Sequence, residues 1–185
     1  MLTVSLNHIA AISHTIIVNH DRWNSAIIYF MPQLEKGGKF VFGWCRIRQD
    51  GGVLLPPQAR QEYNFNAGDE IILLSGSRTS GGFGITRKSW LEKSKLSVIL
   101  SDNPGLADSS LAEGQPVTYK GRNYCRFILD KDARFFLSPG ALEAYNIKPG
   151  DSLISIRSSD IAIGMAAKGP LIAISKTHPE IEVFQ

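Results

Sequence analysis

Cysteine is nearly missing from this chain, with only Cys45 and Cys125 among 185 residues. Two thiols cannot supply the disulfide framework of a small secreted scaffold, and a chain of this length has enough core not to need one. Both sit in strand-like runs, FGWCRI and NYCRFI, where a buried thiol acts as a small hydrophobe. The sequence leaves a single bond between them open, and the expectation is a reducing, cytoplasmic protein. Long apolar runs are also missing. The N-terminal MLTVSLNHIAAISHTIIVNHDR starts without a basic segment and is broken by Asn7, His8, His14 and His20. That pattern argues against a secretory signal, a spanning helix and a membrane partner.

A dominant charge is lacking too, since Lys plus Arg number 20 and Asp plus Glu 17. Residues 1–95 carry 11 basic and 7 acidic side chains, and residues 96–185 carry 9 and 10. A mild basic excess in the first half is compatible with nucleic acid and equally with no charged partner at all. Catalytic signatures are absent as well. No GxSxG, HExxH or CxxC occurs, and no GxGxxG follows a strand to open a helix. His8, His14 and His20 recur every six residues, which fits no metal-pair spacing. The loop Gly76-Ser77-Arg78-Thr79-Ser80-Gly81-Gly82-Phe83-Gly84 is glycine-rich, but strand-like ITRKSWL follows it and no P-loop Lys-Ser/Thr stands in place. It reads as a hairpin tip rather than a phosphate cradle. Enzyme, cofactor and metal are therefore not expected.

What the chain does have is one phrase said twice. LLPPQARQEYNFNAGDEIILLSGS around Leu55 is matched by FLSPGALEAYNIKPGDSLISIRSS around Leu137. Leu55, Pro57, Ala59, Tyr63, Asn64, Gly68 and Asp69 pair with Leu137, Pro139, Ala141, Tyr145, Asn146, Gly150 and Asp151, each 82 positions on. Helix-enders and turn-formers match along with apolar residues, so shared composition does not account for it.

Each copy reads strand, turn, strand, short helix, turn, strand, hairpin, strand. KFVFGWCRI (39–47) is rich in strand formers, and Asp50-Gly51-Gly52 is a turn signal. Pro57 suits the first turn of a helix, and Asn64 suits its left-handed end. Lys148-Pro149-Gly150-Asp151 has the Pro-Gly order of a type II turn. SDNPGLADSSLAEGQP (101–116) reads as a linker or long surface loop. The expected organisation is an N-terminal extension (1–38), a first unit (39–95), a linker (96–118) and a second unit (119–185).

The strand–LP–short helix–GD–strand run resembles the swapped-hairpin element of the AbrB/MazE/SpoVT family, over residues 44–88 and again over 125–168. The resemblance implies a mainly β fold with short helices, in which two hairpins interleave to close a small barrel. A unit of this size cannot bury enough surface alone. Two linked copies would turn a homodimer's two-fold into an intrachain pseudo-symmetry. Homo-oligomerisation through the barrel or the N-terminal extension stays open. The resemblance also implies double-stranded DNA as partner, gripped by arginines near the strand-to-helix turn and on the helix.

Arg46 and Arg48 alternate with Cys45 and Ile47, which puts both on one strand face. With Arg60, Arg78, Arg87, Lys88 and Arg134 they are the candidate DNA contacts, anchoring phosphates more than reading bases. The same alternation is also what the solvated face of a half-buried sheet produces. Phe40, Phe42 and Trp44 alternate likewise, as core or as a stacking surface. Positions that are basic in many family members are Gly52 and Gln61 in the first copy, and Leu142 and Glu143 in the second. These favour a second reading, a barrel kept as a protein-interaction or small-ligand module.

Overall fold

Aromatic and β-branched residues dominate where the chain extends, and Pro, Asn and Gly mark where it turns. The computed structural model describes residues 40–185, so the expected N-terminal extension and His8, His14 and His20 lie outside the described residues. Among the described residues there are ten strands and six short helices. The first run holds β1 (Val41–Arg46), β2 (Gly52–Leu54), α1 (Pro57–Glu62), β3 (Glu70–Ser75) and β4 (Phe83–Arg87). Next come α2 (Lys88–Glu92), α3 (Val98–Ser101), α4 (Pro104–Ala107) and β5 (Val117–Tyr119). The second run holds β6 (Arg122–Ile128), β7 (Arg134–Phe136), α5 (Pro139–Ala144), β8 (Ser152–Ser159) and β9 (Ala162–Ala166), followed by α6 (Pro170–Ser175) and β10 (Val183–Phe184).

Local chemistry accounts for the helix ends. Pro57 and Pro139 open α1 and α5, where the missing N–H has no intrahelical partner to lose. Ser138 adds a cap, its Oγ accepting from the Ala141 N–H at 3.1 Å. Asn64 and Asn146 close the helices in the left-handed region, with φ of 50° and 52°, and Asn tolerates that region better than most residues. The turns that follow are held by carboxylates. Asp69 accepts from the Asn66 N–H at 2.8 Å and Asp151 from the Lys148 N–H at 2.9 Å.

Eight strands form one sheet in the order β10-β1-β8-β9-β4-β3-β6-β5, and β2 pairs with β7 in a separate ribbon. The strands exchange between runs. β1 lies against β8, β3 against β6, and β4 against β9, all antiparallel. Hydrogen bonds recur at the 82-residue spacing. Ile47 donates to Asp151 O at 2.9 Å and Leu129 to Asp69 O at 3.0 Å, while Leu55 donates to Ala133 O at 3.1 Å and Leu137 to Gly51 O at 3.0 Å.

The expected closed barrel is not what forms. The outer edge of β1 is taken by β10 through Trp44↔Val183, and that of β6 by β5 through Val117↔Tyr124. With both edges occupied, β1 and β6 have no free ladder through which to meet, and the sheet stays open. The β2–β7 ribbon, α1 and α5 instead cover its inner face. The principal core runs through Phe42, Ile47, Val53, Phe65, Phe83, Phe127, Phe135, Tyr145 and Leu153, drawing on both runs.

Three further differences from expectation follow. The alternation of Phe40, Phe42 and Trp44 is interrupted by a register shift between Val41 and Gly43, so Phe42 joins the principal core while Trp44 packs beside Val41 and Ile154. Gly43 has φ of 143°, and a Cβ there would lie 2.5 Å from the Phe184 ring. ITRKSWL, expected as strand throughout, leaves the β4–β9 ladder after Thr86↔Ala162 and turns into α2. The stretch 101–116 is likewise more than a surface loop. It contains α4, and Leu106 is buried with Ile72, Leu91, Ile99, Leu100 and Tyr124. That cluster shields the outer face of β3 and β6, which would otherwise expose Ile72 and Tyr124 to water. Cys45 and Cys125 are both buried and unbonded, and burial pushes the Cys45 thiol well above its usual range.

Candidate nucleic-acid interface

Strand register decides which side chains share a surface. Across the ladder Arg46 stands opposite Ser152, Ser155 opposite Met165, Met165 opposite Phe83, Phe83 opposite Ser75, and Leu74 opposite Tyr124. One end of the sheet therefore gathers the last residues of β1, β3 and β9 and the first of β8, β4 and β6. The other end gathers their opposite termini, including Glu70, Arg87 and Ile128.

The first end carries Arg46, Arg78, Lys120, Arg122, Lys148 and Lys168, all exposed. None of the six makes an ion pair among the described residues. Two carboxylates also stand at this end without an ion pair, Asp151, which accepts from the Lys148 N–H, and Asp102, which accepts from the Tyr119 hydroxyl beside Lys120. The hairpin tip at Arg78 is pinned next to Lys168. The Ala167 and Lys168 N–H groups both donate to Ser80 O at 2.9 Å. Gly82, with φ of 61°, lets the tip pass the Met165 carbonyl, where a Cβ would lie 2.0 Å from that oxygen. The Lys120 ammonium rests 4.8 Å from the centre of the Tyr119 ring.

At the other end Arg87, Lys88, Arg126 and Arg157 are spent internally, while Lys93, Lys95 and Lys131 are exposed and make no ion pair among the described residues. Arg87 lies 3.2 Å from Asp69, Lys88 3.1 Å and Arg126 2.6 Å from Glu70, and Arg157 2.5 Å from Glu62. Ser109 Oγ also donates to Glu70, at 2.8 Å and 2.9 Å to its two oxygens. Burial alone would raise the Glu70 carboxyl, but the hydrogen bonds from Arg126, Ser109 and Lys88 outweigh it and hold the group below the usual glutamate range. A shallow cleft of about 320 Å³ beside this cluster is walled by Asp69, Glu70, Arg87, Lys88, Ser89 and Glu92. Asp69 pairs with Arg87 and Glu70 with Lys88, while Glu92 makes no ion pair among the described residues.

The seven arginine and lysine candidates thus do not share one face. Arg46 and Arg78 fall at the unpaired end. Arg87 and Lys88 fall at the paired end, with the Arg87 guanidinium 5.4 Å over Trp90. Arg48 lies in the turn after β1, 3.4 Å from Asp50, and Arg134 on β7 lies 3.8 Å from Asp132. Arg60 on α1 folds back, its Nε donating to Phe65 O at 3.2 Å, and borders a second cleft of about 300 Å³ with Leu54, Pro57, Asn64 and Asp132. Sequence reasoning missed Lys120, Arg122, Lys148 and Lys168. Their signal was their position in turns, Lys120-Gly121-Arg122 and Lys148-Pro149-Gly150, but the near-neutral balance of the second half concealed it.

Among the described residues no group of three or more His, Cys, Asp or Glu side chains is placed to hold a metal ion, and no helix is long and apolar enough to cross a membrane. Comparison with known proteins finds no matching family model, no matching curated protein and no matching solved structure.

Proposed function

We propose that this chain is a fused pair of AbrB-like swapped-hairpin units acting as a non-enzymatic, cytoplasmic, DNA-binding regulator. The exchange of strands between the two runs supports the swapped-hairpin reading, as do the hydrogen bonds that recur 82 residues apart. The DNA reading is carried by one observation. Six exposed cations at one end of the sheet have no carboxylate partner among the described residues, while at the other end four cations are ion-paired and three, Lys93, Lys95 and Lys131, are not. A cation already paired must give up its partner to hold a phosphate, and an unpaired one releases condensed counterions at no such cost. Arg46, Arg78, Lys120, Arg122, Lys148 and Lys168 are the contacts this reading favours, with Arg48 at their margin.

The test is fluorescence anisotropy with a random-sequence duplex at about 50 and about 200 mM salt. Engagement of all six cations gives a log–log salt slope near −5 and roughly a thousandfold loss of affinity over that range. No binding at the lower salt would end the DNA reading. The second reading is a module for a protein or small ligand. It is favoured by the pairing of Arg48 with Asp50 and of Arg134 with Asp132, which quiets the surface around the β2–β7 ribbon.

A further inference from the structure

Spacing and charge together say how many duplexes one chain accepts. In a two-fold DNA-binding dimer each half presents the same basic surface. Here the residues 82 positions apart differ in charge. Arg46 is matched by Ile128, Arg48 by Asp130, Arg78 by Asp160, Arg122 by Phe40 and Lys148 by Asn66. Ile128 is 43 % exposed at the place where Arg46 offers a cation. Asp160 is exposed at the β8–β9 tip where Arg78 stands in the β3–β4 tip. Four of the cations near that second end, Arg87, Lys88, Arg126 and Arg157, are held by Asp69, Glu70 and Glu62, which leaves three exposed lysines, Lys93, Lys95 and Lys131, against six free cations at the first end. A phosphate backbone approaching there meets an exposed aspartate without an ion pair, and must break an ion pair to use any of the four held cations.

Resting on the DNA reading above, we infer that the interface is one-ended: a single chain takes one duplex, through the Arg46–Arg78–Lys168 end alone, and so recognises a tract without dyad symmetry. The second copy keeps the strand exchange and the core and contributes only Lys120, Arg122, Lys148 and Lys168 to the binding end. The contact patch is then a mosaic of both copies at one end of the sheet, rather than a repeated half-site.

The experiment uses the full chain and a random-sequence duplex of about 15 base pairs in excess, with complexes sized by sedimentation at low salt. Anisotropy then follows two double variants. The expected complex holds one duplex per chain. Arg78→Ala with Lys168→Ala lowers the salt slope by about 2 units and weakens binding at least tenfold. Arg87→Gln with Arg157→Gln, at the other end, leaves slope and affinity within twofold of the parent. Thermal melts of both variants establish that each is folded. Two duplexes on one chain, or an equal loss from the Arg87/Arg157 variant, would overturn the one-ended arrangement while leaving DNA binding intact. Absence of any salt-dependent binding by the parent would sink both.

Discussion

Replacing Glu70 by Gln probes the cluster that joins the sheet to the segment after α4. Glu70 accepts from Arg126 Nε at 2.6 Å, Lys88 Nζ at 3.1 Å and Ser109 Oγ at 2.8 Å. The Arg126 side chain is buried, and its remaining partner is the Leu111 carbonyl at 3.0 Å. Glu70→Gln keeps the shape and removes the charge, leaving a buried guanidinium without its counter-ion. Breaking a fully buried pair in this way costs roughly 3–5 kcal/mol, and the 21 % exposure of the Glu70 side chain lowers the expectation to about 2 kcal/mol. For a protein of this size that is a fall in Tm of about 4–8 °C.

The pH dependence follows from the lowered Glu70 carboxyl. Its contribution is fully present above the ordinary glutamate range, near pH 4.3, and is lost as pH falls through the lower native value. Urea unfolding of parent and variant at neutral pH and again at about pH 3 reads both effects. The gap should be about 2 kcal/mol at neutral pH and should shrink in acid. A variant within about 0.5 kcal/mol of the parent at neutral pH would refute the reasoning. A gap unchanged in acid would show that shape, not charge, was responsible.

Other outcomes follow from the core and the turns. Phe135→Ala empties the centre of the β2–β7 ribbon, where the ring packs against Phe83 and Phe127; chemical denaturation should show a loss of about 3–5 kcal/mol. Gly82→Ala drives a Cβ onto the Met165 carbonyl oxygen at a positive φ, and should cost more than about 2 kcal/mol in the same assay. Tyr145→Phe deletes the hydroxyl that donates to Leu73 O at 3.2 Å, with an expected loss of about 1 kcal/mol. Fluorescence anisotropy of Arg60→Ala should match the parent to within a few-fold, because its guanidinium already folds back onto Phe65.

The local grammar of each unit was legible because its causes are local. Pro57 and Pro139 start helices, Asn64 and Asn146 end them in the left-handed region, and Gly68 and Gly150 take positive φ in the turns. Arg46 and Arg48 are exposed while Cys45 and Ile47 are buried, as the alternation on β1 predicts. What stayed hidden depends on distant partners. The sheet remains open because β10, far from β1 in sequence, occupies the edge of β1, and β5, joined to β6 by a short hairpin, occupies the edge of β6. Pro104 after Asn103 was a readable helix start, but Ser, Gly and Asp around it masked α4. The pairing of Arg87 with Asp69 and Lys88 with Glu70 follows from Ile71 standing opposite Arg87. Only the hairpin register reveals that two of the candidate DNA contacts are already taken.

Under the proposed function, unpaired cations at one end of the sheet hold DNA. The most direct measurement is the salt slope of duplex binding for the parent and for a triple variant, Arg46→Ala, Arg78→Ala and Arg122→Ala. The expected parent slope is near −5 and the expected variant slope is smaller in magnitude by roughly 2–3, with affinity falling alike on unrelated duplex sequences. A parent slope near zero, or a triple variant whose slope equals the parent's, would contradict it.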